Sequence, residues 1–262
     1  MIDFNKIVNK LLKKWWKIIF KSEIFEIIDP EKKKEHSSYL NKTIYRLKAE
    51  NYIISIKAWV YIIPDTEDVH LNSVDLIDKY YLKLVKKYIT LYASSSYYIS
   101  GKKALEFHLK DYSIPEKILV VNRSVNKKIM IWDYQIIFKT VSGKIWGKKM
   151  NLYARLSNFV AHKEIEGVNL KVSSLELALV EAALVSDSAE WLDFSLLNKA
   201  IKKYGDVLRS ESFYEIWKLK YSMSFNRLKE ISKNINKDLY EVFLDIIKKN
   251  GWLFIWEGLR GF

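Results

Sequence analysis

Residues 40–63 change their hydrophobic period without an intervening loop, and few folds accommodate that. Leu40, Ile44 and Leu47 recur at i, i+4 and i+7, the inward stripe of a helix that Ser37 or Ser38 can cap. Directly afterwards, 52–56 and 58–63 are short runs of β-branched and aromatic residues with Lys57 at the expected turn, which predicts a hairpin. A helix followed at once by a hairpin is the order of winged helix-turn-helix domains. There the second helix of the motif enters the major groove of DNA and the hairpin touches the backbone.

Charge falls where that motif falls. Residues 1–63 carry 13 Lys plus Arg against 7 Asp plus Glu, a net +6 of the +13 borne by all 262 residues. A positive surface concentrates polyanions, nucleic acid among them. The outward positions of the helix are Ser38, Tyr39, Asn41, Lys42, Tyr45, Arg46 and Lys48. Asn suits adenine edges, Arg suits guanine edges and Lys suits phosphates. With Lys57 on the hairpin they form the expected contact set for double-stranded DNA, and Lys32, Lys33 and Lys34 add phosphate contacts before the helix.

Upstream, Phe4, Ile7, Val8, Leu11, Leu12, Trp15, Ile18 and Ile19 keep helical spacing among lysines, which predicts one basic amphipathic helix over 4–21, docked on its own domain. A short apolar piece, 24–28, ends at Asp29-Pro30, where proline breaks the helix. Downstream, the polar stretch Pro64 to Asp68 marks the expected domain boundary, with a winged helix-turn-helix over 1–66 and a second domain over 67–262.

That second domain reads as mixed α/β, so the whole chain is expected to be α+β. A helix over 73–92 precedes a short helix over 103–109. Strand-like runs follow at 118–121, 128–132, 135–140, 145–146 and 168–172. The end is helical: Ser173-Ser174-Leu175-Glu176 reads as a capping box before 177–185, and helices are expected near 193–204, 212–233 and 237–249.

Several classes of function find little support. The absence of cysteine removes disulfides and thiolate metal sites. His36, His70, His108 and His162 lie far apart without ligand spacing, so neither metal nor cofactor is expected. Ser100-Gly101 reads as a turn before a helix and lacks the glycines and lysine of a phosphate loop. No run approaches about 18 apolar residues, and residues 1–20 lack a secretory cleavage pattern, so no membrane contact and a cytoplasmic location are expected. Asp111, Glu116 and Lys117, or Asp133 and Lys139, could compose a nuclease-like set, the alternative being a nucleic-acid-processing enzyme targeted by its winged helix. Trp252, Phe254, Trp256 and Phe262 are expected to pack beneath the last helices.

Four patches resemble the AbiEi antitoxin family, the DNA-binding members of type IV (abortive infection) toxin-antitoxin systems. They are Leu47-Lys48-Ala49-Glu50-Asn51-Tyr52-Ile53 running into Trp59-Val60-Tyr61; Tyr98-Ile99-Ser100-Gly101-Lys102-Lys103-Ala104-Leu105; Ile114-Pro115-Glu116-Lys117-Ile118-Leu119-Val120-Val121; and Val172 through Glu181. The resemblance covers about residues 35–186. Trp59 stands where many members have glycine, and Leu177 where many have arginine. The resemblance implies repression of the chain's own promoter through an inverted-repeat operator, an arrangement that suits a homodimer. It also implies antagonism of a nucleotidyltransferase-like toxin encoded nearby, without catalysis by this chain.

Overall fold

The computed structural model describes residues 3–14, 17–29, 37–145, 148–184, 192–219 and 221–249. Lys32 to Lys34, His36 and the aromatic residues after 250 lie outside the described residues. The chain divides into two units, residues 1–91 and 92–262.

The first unit begins with α1 (Phe4–Leu12), β1 (Ile18–Phe20), α2 (Lys21–Ile28), α3 (Ser37–Ala49), β2 (Ile54–Lys57) and β3 (Val60–Ile62). The single helix expected over 4–21 is therefore a helix and a strand. Helix α1 stops at Leu12, and Lys17 adopts a left-handed φ of 59° that turns the chain. Ile18, Ile19 and Phe20 then pair with Ile62, Tyr61 and Val60, making β3 the centre of an antiparallel sheet ordered β1-β3-β2. Bonds from Ile63 N to the Lys17 carbonyl (2.7 Å) and from Lys21 N to the Trp59 carbonyl (2.9 Å) continue the ladder at both ends. An edge of unsatisfied backbone outweighs local periodicity here. The piece at 24–28 is the inner face of α2, where Glu23 accepts from Phe20 N.

Helix α3 buries Leu40, Thr43, Ile44 and Leu47. Its stripe packs with Ile7 and Leu11 of α1, Ile24, Ile27 and Ile28 of α2, and Tyr61 of β3 into one core. The long helix α4 (Ser73–Ala93) follows a short 3-10 turn, Thr66–His70. Up to Leu91 it belongs to the first unit, so the division falls later than the polar stretch at Pro64 to Asp68. Side chains explain this: Lys87 bonds Glu23 at 2.6 Å, Tyr88 meets Phe20 edge-on at 5.4 Å, and Tyr80 donates to Asp68.

The second unit is built on a six-stranded mixed sheet. Its strands are β4 (Tyr97–Ile99), β5 (Lys117–Asn122), β6 (Lys127–Ile131), β7 (Tyr134–Thr140), β10 (Val160–Ile165) and β11 (Val168–Ser173), ordered β10-β11-β4-β5-β7-β6. The pairs β11–β4 and β5–β7 are parallel and the others antiparallel. Strands β8 (Ser142–Ile145) and β9 (Lys148–Asn151) form a separate hairpin, and α6 (Tyr153–Leu156) is a single turn. Helices α5 (Gly101–His108) and α7 (Leu175–Ala182) pack on each other. The N-cap of α7 is Ser174, accepting from Leu177 N, so the cap lies one residue beyond the expected box; Glu176 instead accepts from Arg209 N.

The remaining helices are α8 (Phe194–Tyr204), α9 (Ser210–Trp217), α10 (Ser222–Ser232) and α11 (Lys237–Lys249). The one helix expected over 212–233 is thus two. Between them Phe213, Phe225 and Phe243 meet edge-on, with centroids 5.0–6.2 Å apart. Together the units make an α+β protein, and no helix among the described residues is long and apolar enough to cross a membrane.

Candidate nucleic-acid interface

The outer face of α3 follows from its inner one. With Leu40, Ile44 and Leu47 in the core, Ser38, Asn41, Lys42, Tyr45 and Lys48 are turned to solvent. Tyr45 leaves 76% of its surface exposed, an unusual position for a large aromatic ring. Lys42 and Lys48 are exposed and make no salt bridge among the described residues.

Three expected positions behave differently. Tyr39 is partly buried and packs on the core of the first unit. The Arg46 side chain, 59% exposed, bonds Glu50 at 2.7 Å, and its guanidinium lies 3.8 Å over the ring of Phe4. This planar group is therefore engaged within the protein, one turn of helix from its carboxylate partner. Lys57 is the half-buried last residue of β2 at a β-bulge opposite Val60, and the turn itself is Ala58-Trp59.

Two residues outside the expected set join the hairpin to α3. The Lys21 backbone donates to the Trp59 carbonyl at 2.9 Å, while its Nζ donates to Asn41 Oδ1 at 3.0 Å. One residue at the start of α2 thus reaches both the hairpin turn and the outer face of α3. Trp59 itself is 68% exposed and has φ 68°, in the left-handed region. Nothing local marked Lys21, because its two partners lie 20 and 38 residues away in the chain. Exposed Lys6, Lys10, Lys13 and Lys14 add positive charge along and just beyond α1.

A network beside this surface fixes the segment after the hairpin. Asp68 is buried and accepts from Lys79, Tyr80 and the Asp65 backbone. Burial by itself raises its carboxyl, but these donors outweigh burial and hold it below the ordinary carboxylate value. The neighbouring Asp65 is lowered chiefly by its hydrogen bond from Lys17.

In the second unit, Ser100-Gly101 starts α5 as expected, and Gly101 takes a φ of 64°. The Gly101 amide donates to Glu181 Oε2 at 3.3 Å, so a carboxylate of the chain itself occupies that helix start. Glu181 also accepts from Tyr98 at 2.9 Å and from Ser100 and Ser173; burial, the largest influence, raises its carboxyl above the ordinary value. A cavity of about 580 Å³ beside it is lined by Lys102, Lys103, Glu106, Glu116, Lys117 and Asp193, among others. Within it Lys103 bonds Glu106 at 2.8 Å and Lys102 bonds Asp193 at 3.0 Å, leaving mixed and largely paired charge. Of the nuclease-like candidates, Asp111 accepts from Ser113 N, Glu116 and Lys117 line this cavity, and Asp133 sits in the β6–β7 turn apart from Lys139 on β7. No group of three or more His, Asp or Glu among the described residues could hold a metal ion.

The fold defines a class first: an α+β chain of two units, the first with helices on a three-stranded sheet, the second with a six-stranded mixed sheet and helices. No family model and no curated protein matches this chain. Among solved structures, the crystal structure of the Rv2827c protein from Mycobacterium tuberculosis is similar, with a TM-score of 0.62 over 94% of this chain and 80% of that one. At 11% identity the likeness is one of fold.

Proposed function

We propose that this chain is a cytoplasmic, DNA-binding transcriptional regulator whose first unit acts as a winged helix-turn-helix. The observation that carries the reading is the outer face of α3, where Asn41, Lys42, Tyr45 and Lys48 stand in solvent beside a hairpin tied to Asn41 through Lys21. The element order α1-β1-α2-α3-β2-β3 supports it, being the order in which winged domains present a recognition helix and a wing. Phosphate contacts would come from Lys42, Lys48, Lys57 and the lysines of α1, and base contacts from Asn41 and Tyr45.

The resemblance of the four patches extends this to an antitoxin role, in which the chain represses its own promoter and the second unit counters a nucleotidyltransferase-like toxin. Both halves are tested together by a reporter driven by the region upstream of the gene and by co-expression with the adjacent open reading frame. Repression lost in an Asn41→Ala, Tyr45→Ala double variant, with rescue of growth retained, is the expected result. Repression unchanged in that variant would remove α3 from the interface.

A further inference from the structure

The fold does not account for Trp59. A left-handed φ at a bulky residue costs about 1 kcal/mol and is ordinarily met by glycine or asparagine. The residue at the hairpin turn nonetheless carries the largest side chain available, 68% of it in water and contributing little to any core. Its backbone position is fixed twice: by the β-bulge at Ser55 and Lys57, and by the bond from Lys21 N to its carbonyl. The surroundings are positive, with Lys57 closing the preceding strand and Lys21 bonded to the turn carbonyl through its backbone and to Asn41 of α3 through its Nζ. An exposed indole within a lysine-rich rim suits a surface both polyanionic and apolar, and the phosphate-lined, deoxyribose-walled minor groove of duplex DNA is one.

We propose that Trp59 is a duplex-DNA contact, its indole lying against the deoxyribose wall of the minor groove that flanks the major-groove segment occupied by α3. The inference rests on the winged-helix reading and adds to it a contact residue and a groove. Lys21 gives the arrangement its geometry. By bonding both the turn and Asn41 it sets the separation between the minor-groove contact and the major-groove contact. Rotation of the wing away from α3 would break the bond from Lys21 Nζ to Asn41 Oδ1, because the Lys21 backbone stays bonded to the turn. The ring face supplies apolar area for sugar carbons, and the indole N–H supplies one donor for a phosphate oxygen or for the acceptors on the groove floor.

The test uses the full chain and a duplex selected from a random library by the wild-type protein. Affinity and hydroxyl-radical footprints, which report sugar accessibility from the minor groove, are compared for wild type, Trp59→Phe and Trp59→Ala. Trp59→Ala is expected to bind about tenfold more weakly and to lose protection at the flanks while keeping it at the centre; Trp59→Phe should keep most of both. A Trp59→Ala protein with wild-type melting temperature, affinity within about twofold and an unchanged footprint would overturn the inference while leaving the winged-helix reading in place. A wild-type chain that selects no duplex and leaves no footprint would overturn both.

Discussion

Asn41 and Arg46 stand five positions apart on α3, yet their surroundings assign them different work. Asn41 is exposed and oriented by Lys21, so Asn41→Ala should reduce discrimination between selected and random duplex by about 1–3 kcal/mol, read as the ratio of the two affinities. Arg46 is bonded to Glu50 and stacked on Phe4, so Arg46→Ala should act chiefly on the first unit's stability, by about 0.5–1 kcal/mol in chemical denaturation. Sequence patterning marked both as outward; the difference lay in Phe4, distant in sequence and close in space. Two buried carboxyls respond oppositely to acid. Asp68 sits below its ordinary value in the fold, so its contribution is complete above the unfolded carboxylate range, near pH 4, and is lost as pH falls through the lowered value. Asp68→Ala should cost about 1–3 kcal/mol at neutral pH and blunt the acid-side loss in a pH series of melting curves. Glu181 is raised, so the folded state holds its proton more tightly and its contribution falls as pH rises through that raised value. Glu181→Ala leaves Tyr98 and the Gly101 amide without their partner and should cost about 3 kcal/mol, seen as early unfolding of the second unit. An unchanged melting profile for either variant would contradict these assignments.

Among the elements, α4 decides where the first unit ends. Lys79, Tyr80, Lys87 and Tyr88 of this helix bond or pack on Asp68, Glu23 and Phe20, all of the first unit. A fragment of residues 1–66 is therefore expected to unfold at lower denaturant than one of residues 1–93, and equal midpoints would return the boundary to Pro64 to Asp68. Helix α3, the β2–β3 hairpin, α4, β5 to β7, α8 and α11 were legible because each carries its own period. What was hidden depends on distant partners. Ile18 and Ile19 fit the helical stripe of α1, and only the open edge of β3 draws them into a strand. Tyr97 to Ile99 is too short to display a period, and it becomes a central strand through Val172 on one side and Val120 to Asn122 on the other. The candidate interface divides the same way. Ser38, Asn41, Lys42, Tyr45 and Lys48 follow from the inner stripe of α3, whereas Lys21 enters only through a strand pairing that local spacing did not encode.

At the scale of the whole molecule, the net charge of +13 gives a general attraction to polyanions, and the proposed function directs that attraction to the outer face of α3. Charge alone would produce binding that ignores base sequence, and an outer face of Asn41 and Tyr45 would add preference. The most direct measurement is the affinity of the full chain for its selected duplex across a salt series, with wild type, Lys42→Ala and an Asn41→Ala, Tyr45→Ala double variant side by side. For wild type the logarithm of affinity should fall linearly with the logarithm of salt, with a slope worth several phosphates. Lys42→Ala should lower that slope by about one and weaken selected and random duplex alike, and the double variant should keep the slope while losing preference. Wild-type affinity independent of salt, or equal loss on both duplexes in every variant, would contradict the assignment of α3 as the element that reads DNA.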